Sequence, residues 1–281
     1  MTGMTARRTR RRIVSRLMTG ATVVAAGLAV VPLFMIFAYL LLKGASSVDL
    51  NFFLKNPAAP GTSGGGVAPA IVGTGIVVGI GALIGIPVGI GAGLFLSEYG
   101  SSKTSWIVRF VSDVLNGTPS ILVGVVVWTW MVRPMGHFSA LAGSVALAIL
   151  MIPMVTRTTE EMINLVPNSL REAALALGYT RWRTSLKIVL RTALPGVVTG
   201  ALVAIARITG ETAPLLFTAF GNLNFRTDPL QPMQTLSLQV FTYATGPFPE
   251  WHRLAWGAAL VLVSLVLVFS LGARYVTRRR F

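Results

Sequence analysis

Two ionisable residues four positions apart, Arg207 and Glu211, stand in the segment ARITGETAPLL (206–216), inside an otherwise apolar run from about Ala193 to Phe220. Counting from Pro195 at the inner boundary, about 1.5 Å of rise per residue carries Arg207 about 18 Å along a helix, near the centre of a ~30 Å hydrocarbon core. An Arg at that depth costs ~2.5–3.5 kcal/mol on insertion scales, so its retention marks a candidate functional site. The i,i+4 spacing predicts that Glu211 shares its helical face and pairs with it. Three uses fit the pair: a salt bridge that locks two helices, a proton-coupled carrier site, or an anion pathway in which the guanidinium meets an oxyanion. For the last, the planar fork matches two oxygens of a phosphate. Gly210 and Pro214 are expected to bend or loosen the helix here.

Other chemistry is thin. The chain has no Cys, which excludes disulfides, thiolate zinc sites, Fe–S clusters and a cysteine nucleophile. His137 and His252 belong to no HExxH arrangement, so an enzyme is not expected, nor is a metal site. Gly73, Gly75 and Gly79 imitate part of a dinucleotide fingerprint, but the run stays apolar where a strand, a helix and a distant acid would have to follow. The four-residue spacings Gly75–Gly79, Gly81–Gly85, Gly85–Gly89 and Gly89–Gly93 read instead as small residues that let helix backbones approach in lipid.

A charged segment from Thr156 to Thr192 interrupts the apolar pattern yet is helix-forming, PNSLREAALALGYTRWRTSLKIVL. Asn168 or Ser169 is expected to cap a helix running through Arg171 to Leu177, with Gly178 ending it and a second helix from about Trp182 to Leu194. A short apolar-faced helix outside the membrane suits docking into a partner's groove, or lying on the bilayer surface.

These segments are positioned by long apolar runs: Leu17–Leu42, about 69–96, 106–132, 138–155, 193–220 and 254–276. Each is near the ~20 residues a membrane helix needs, and the first is longer than the roughly 7–15 of a signal-peptide core. Of the 281 residues, 53% are hydrophobic and 12% charged, with a mean hydropathy of +0.71. Soluble domains carry about 25% charge; a cytosolic enzyme is excluded, and the net charge of +15 reads as membrane topology rather than nucleic-acid binding. Eighteen of the 24 Lys and Arg fall in the two termini and the second and fourth loops, and Arg207 lies within a span. That asymmetry puts both termini in the cytoplasm. The expected organisation is a basic cytoplasmic tail, 1–16, and one transmembrane domain, 17–281, with a cytoplasmic loop at about 157–192. Two outer loops, 43–68 and about 221–253, are Gly/Ser/Pro-rich, and are expected to be either solvated connectors or a covering or docking surface, with Trp251 and Trp256 as interfacial anchors.

Glu172-Ala173-Ala174, then Gly178, then Ile188-Val189-Leu190 resembles the EAA loop of bacterial ABC importer permeases. It departs from the common pattern in having Arg191 where Pro often follows, with Pro only at 195. ARITGETAPLL and NGTPSILVG (116–124) are similar to signatures of phosphate-specific ABC importer permeases of the PstA type. The resemblance implies an all-α membrane protein of six transmembrane helices with the type I (MetI-like) importer permease architecture, multi-pass in the bacterial plasma (inner) membrane. It implies a PstC-like sister permease, a PstB-like ATPase dimer and a PstS-like phosphate-binding protein as partners. ATP and Mg would be held by that ATPase, with no cofactor bound directly. By the same likeness Arg207 and Glu211, with Arg157 by analogy, line the substrate pathway, and Glu172, Ala173, Ala174 and Gly178 couple to the ATPase. Permeases for sulfate or molybdate and a stand-alone carrier are the rival readings.

Overall fold

A computed structural model describes residues 2–62, 64–100 and 102–278. Of the basic residues counted for topology, Arg279 and Arg280 lie outside the described residues, as do the side chains of Arg7, Arg8, Arg10 and Arg278. In chain order the helices are α1 (Thr2–Gly44), α2 (Leu50–Leu54), α3 (Ala68–Glu98), α4 (Lys103–Gly117), α5 (Ser120–Met135), α6 (Ala140–Asn164), α7 (Asn168–Ala176), α8 (Arg181–Thr209), α9 (Ala213–Thr218), α10 (Leu236–Ala244) and α11 (Pro249–Arg278). Two isolated bridges, Pro57 with Gly65 and Phe220 with Met233, are the β pairing among the described residues.

Five of these helices are long and apolar enough to cross a membrane, and a sixth crossing exists if α4 and α5 are counted as one broken span, bent by 106°. The packing of α3 on α6 decides that count. A side chain at Gly81 would meet Ser144 and Leu147, one at Gly85 Met151, one at Gly89 Val155, and one at Gly93 Thr156 and Thr159. Contacts that advance together along both helices mean that α3 and α6 run parallel. The chain must therefore recross between them, and α4–α5 is the segment available. Four of the expected glycines form this seam; a Cβ added at Gly75 or Gly79 would meet no neighbouring element within 4 Å.

The third span is expected from its apolarity to be one helix, and is instead two. Thr118 precedes Pro119 and is extended at φ −77°, ψ 132°, because a proline ring crowds the α conformation of the residue before it. The helix restarts at Ser120. In contrast, Pro87, Pro153 and Pro195 are carried inside α3, α6 and α8, as lipid-embedded helices allow when neighbours cover the freed carbonyl. The expected second cytoplasmic helix does not stop at Leu194: it is the first part of α8, which passes through a π-type stretch at Ser185–Val189 and runs to Thr209.

The fifth connection is exposed over residues 223–228 and packed into the fold on either side of its return. The carbonyls of Pro229 and Gln231 accept from Leu141 N–H (2.8 Å) and Ala140 N–H (2.9 Å), filling the open amides at the start of α6. Thr74 Oγ1 accepts from Leu236 N–H at 2.8 Å, and α10 buries Leu236, Leu238, Gln239 and Tyr243. Trp251, half-buried, stacks on Tyr243 with ring centroids 4.7 Å apart, while Trp256 meets Tyr39 of α1 edge-on. One core joins Val77, Leu147, Met151, Ile208, Leu215, Met233 and Leu238, so α3, α6, α8, α9 and the returning segment close around each other.

Gly89→Val places its first carbon 2.7 Å from Val155 Cβ. It should destabilise the domain by about 1–3 kcal/mol, read as a lower thermal midpoint in detergent, whereas Gly91→Ala, which faces open space inside the same helix, does not lower the midpoint.

Candidate functional site

The two interrupted segments meet. Asn116, Thr118, Pro119 and Ser120 at the α4–α5 break and Arg207, Ile208 and Glu211 at the α8–α9 break line one cavity of about 240 Å³, backed by Leu115 and by Leu150 and Met154 of α6. Gly124 holds the two breaks together. A Cβ there would lie 2.6 Å from Pro214 Cα, so only glycine lets α5 approach α9 this closely. Sequence reading located both motifs; that they share a cavity is decided by packing.

The expected Arg207–Glu211 salt bridge does not form. Helix α8 ends at Thr209, Gly210 caps it, and Glu211 lies in the two-residue gap before α9, where the i,i+4 register no longer holds. Arg207 is exposed and Glu211 half-buried, and no ion pair joins them within 4.0 Å. The backbone of Glu211 is held at both ends: its N–H donates to Ile208 O at 3.2 Å, and its carbonyl accepts from Ser237 Oγ at 2.9 Å. Both side chains are therefore open to a third party in the cavity. Pro214, in the first turn of α9, is placed where its missing N–H costs nothing.

Arg157 lies elsewhere. It is exposed on α6, donates from Nε to Glu161 at 2.9 Å and stands 3.9 Å from Glu160, and it does not line the Arg207 cavity. Glu160 has a second and closer arginine partner, which by sequence is one of the charges of the second loop. Arg109 of α4 meets Glu160 Oε1 at 2.7–2.9 Å and donates to the carbonyls of Gly100 (3.0 Å) and Leu96 (3.3 Å). Glu160 is only 7% exposed and Arg109 35%. This ion pair fastens α4 to the ends of α3 and α6. An Arg flanked by Trp106 and Phe110 was a visible signal; its partner, 51 residues on, was not.

Helix α7 carries the EAA residues. Glu172 and Ala173 are exposed, Ala174 is buried, and Gly178 follows in the left-handed region at φ +84°, closing the helix with a bond from Tyr179 N–H to Ala174 O at 3.1 Å. Pro167 occupies the N-cap, in place of the expected Asn168 or Ser169, and makes no side-chain cap. Arg171 fixes this helix on the domain: it donates to Val166 O (2.8 Å) and Ile163 O (3.2 Å) at the end of α6 and stands 3.5 Å from Glu98 at the end of α3. Leu175 and Leu177 remain exposed, the latter at 80%.

Residues 85–281 match the family described as "Binding-protein-dependent transport system inner membrane component". The chain is 45% identical to the phosphate transport system permease protein PstA of Yersinia pestis, over 85% of this chain and 81% of that one. It is 40% identical to the PstA protein of Haemophilus influenzae over 94% of each. Among solved structures it is similar in fold to a chain of the inward-facing MetNI methionine ABC transporter, with a TM-score of 0.59 and 21% identity over 76% of this chain and 93% of that one.

Removing either member of the Arg109–Glu160 pair strands a poorly solvated charge. Arg109→Gln and Glu160→Gln should each cost roughly 1–3 kcal/mol, discounted for the partial exposure of Arg109. The double variant should cost less than the sum, and full additivity in a thermal-unfolding cycle would show that the pair is not coupled.

Proposed function

The chain belongs to the family of binding-protein-dependent transport system inner membrane components, and on that basis we propose that it is the permease subunit of an ATP-driven ABC importer of inorganic phosphate. It is a multi-span membrane protein and a transport permease, not an enzyme. The observation that carries the substrate reading is the cavity at the two broken spans, where an Arg without an ion-pair partner faces hydroxyl and amide groups. Relatives at 40–46% identity are named phosphate transport permeases.

In this reading Arg207 offers its planar fork to two phosphate oxygens. Glu211 sits on the same wall, so the formal charges of the pair cancel and the anion is held by directed hydrogen bonds more than by net field. A grip of that kind lets the ion leave when the inner side opens. Arg157, tied up with Glu161 and Glu160, serves the inner rim and not the binding cavity. Because Arg207 is exposed at the surface of this chain, the opposite wall of the pathway belongs to a PstC-like sister permease. A PstS-like protein delivers the ion from outside.

Coupling runs through α7. Glu172, Ala173, Ala174 and Gly178, with the exposed Leu175 and Leu177, seat in a groove of a PstB-like ATPase dimer, which holds the ATP and Mg. Arg171 passes a displacement of α7 to the ends of α6 and α3. Helix α6 also supplies Leu150 and Met154 to the cavity, so one rigid element joins the docking helix to the binding wall. Both termini lie in the cytoplasm of a bacterial inner membrane, on the side that gathers the Lys and Arg.

Proteoliposomes holding this chain with its sister permease, ATPase dimer and binding protein should take up radiolabelled phosphate only with ATP. Arg207→Gln and Gly178→Asp should each assemble and lose at least nine-tenths of that uptake. Phosphate entry without the ATPase would overturn the importer reading. Normal uptake by Arg207→Gln would remove Arg207 from the pathway.

A further inference from the structure

A cavity built only to hold an anion would present donors. This one also presents acceptors. Arg207, the Asn116 amide and the Ser120 hydroxyl can donate into it. Glu211, a carboxylate with no ion-pair partner, has only lone pairs to offer. Thr118 is in the same condition for a different reason. Its one hydroxyl proton is given to Val114 O at 2.7 Å, so towards the cavity it too can only accept.

Two acceptors beside a guanidinium suit a ligand that is an anion and still carries a proton. We propose that Glu211 and Thr118 make the cavity selective for protonated tetrahedral oxyanions: they accept the P–O–H of hydrogen phosphate or dihydrogen phosphate and turn away sulfate. Phosphate keeps at least one proton throughout the neutral range and arsenate behaves alike. Sulfate has the same shape and the charge of hydrogen phosphate but no proton, so its oxygens would face the Glu211 carboxylate across the cavity with no hydrogen between them. An unmade hydrogen bond to a charged group together with like-charge repulsion rejects an analogue far more strongly than a size difference does.

Glu211 is well placed for this work. Its backbone is pinned by Ile208 O and Ser237 Oγ, so the carboxylate is presented from a fixed point. The inference rests on the reading of Arg207 as the anion's cation, and the two are separable by experiment. The binding protein would impose its own selectivity, so it is left out.

The complex of this chain with its sister permease and ATPase dimer, in nanodiscs, is measured for equilibrium binding of 32P-phosphate and 35S-sulfate. Native complex should bind phosphate in preference to sulfate, and unlabelled arsenate but not sulfate should displace the phosphate. Glu211→Gln, whose amide can also donate, should bind sulfate and lower the preference for phosphate roughly ten- to hundredfold. Thr118→Val should weaken phosphate binding several-fold without admitting sulfate. A native complex that binds both ions equally, or a Glu211→Gln complex that keeps the native preference, overturns the proposal. Arg207→Gln should bind neither ion; if it binds phosphate normally while Glu211→Gln loses selectivity, the cation assignment fails and the acceptor assignment stands.

Discussion

In hydrocarbon a backbone N–H or C=O without a partner costs several kcal/mol, so a helix can stop partway across a membrane only where protein or a water-filled cavity supplies what the lipid cannot. This chain stops two spans partway, at Thr118-Pro119 and at Gly210–Thr212, and brings both interruptions to one place. Each break is covered. Pro119 O accepts from Leu122 N–H, Ile208 O from Glu211 N–H, and Ser237 of the returning segment reaches Glu211 O. The same exposure of polar backbone that makes a break costly makes it useful, because it allows a charged ligand to be met at membrane depth.

The rest of the fold serves to hold those breaks. The glycine seam lets α3 lie against α6, and because the two run parallel the broken α4–α5 segment is forced between their opposite ends. The long connection after α9 folds back as α10 and fills the space between α3 and α11 with Leu236 and Tyr243, while Leu238 joins the core of α3, α6, α8 and α9. In doing so it caps α6 through Pro229 and Gln231 and fixes Glu211 through Ser237. A connector that looks solvent-bound in composition is thus a structural plug.

Charge is divided by role. Arg109 with Glu160 and Arg171 with Glu98 tie helix ends together at the rim that faces α7. Arg207 and Glu211 are kept apart from any such tie. Chains of packed, hydrogen-bonded elements with a short lever, α7 to Arg171 to α6, give a physical connection from the exposed face of α7 to the cavity wall.

Much of this was legible in residue order, because hydropathy, helix-breaking residues and charge asymmetry are local properties. The six apolar runs, the placing of Arg207 inside one of them, the close-packing glycines from Gly81 to Gly93 and the short helix ended by Gly178 all follow from side chains within a few positions of each other. Where local rules misled, a longer-range partner had prevailed. The i,i+4 spacing of Arg207 and Glu211 implied a pair, but covered backbone at Gly210 let the helix end between them. The Pro-rich outer loop left solvent and a covering role equally open, and Thr74 with the open amides of α6 decided for cover by giving its backbone partners. Arg109 and Glu160, Gly124 and Pro214, and the shared cavity of residues about 90 positions apart depend on helices meeting in space. Contact between distant segments is settled by the sum of packing over the whole core, and no single stretch of sequence encodes it.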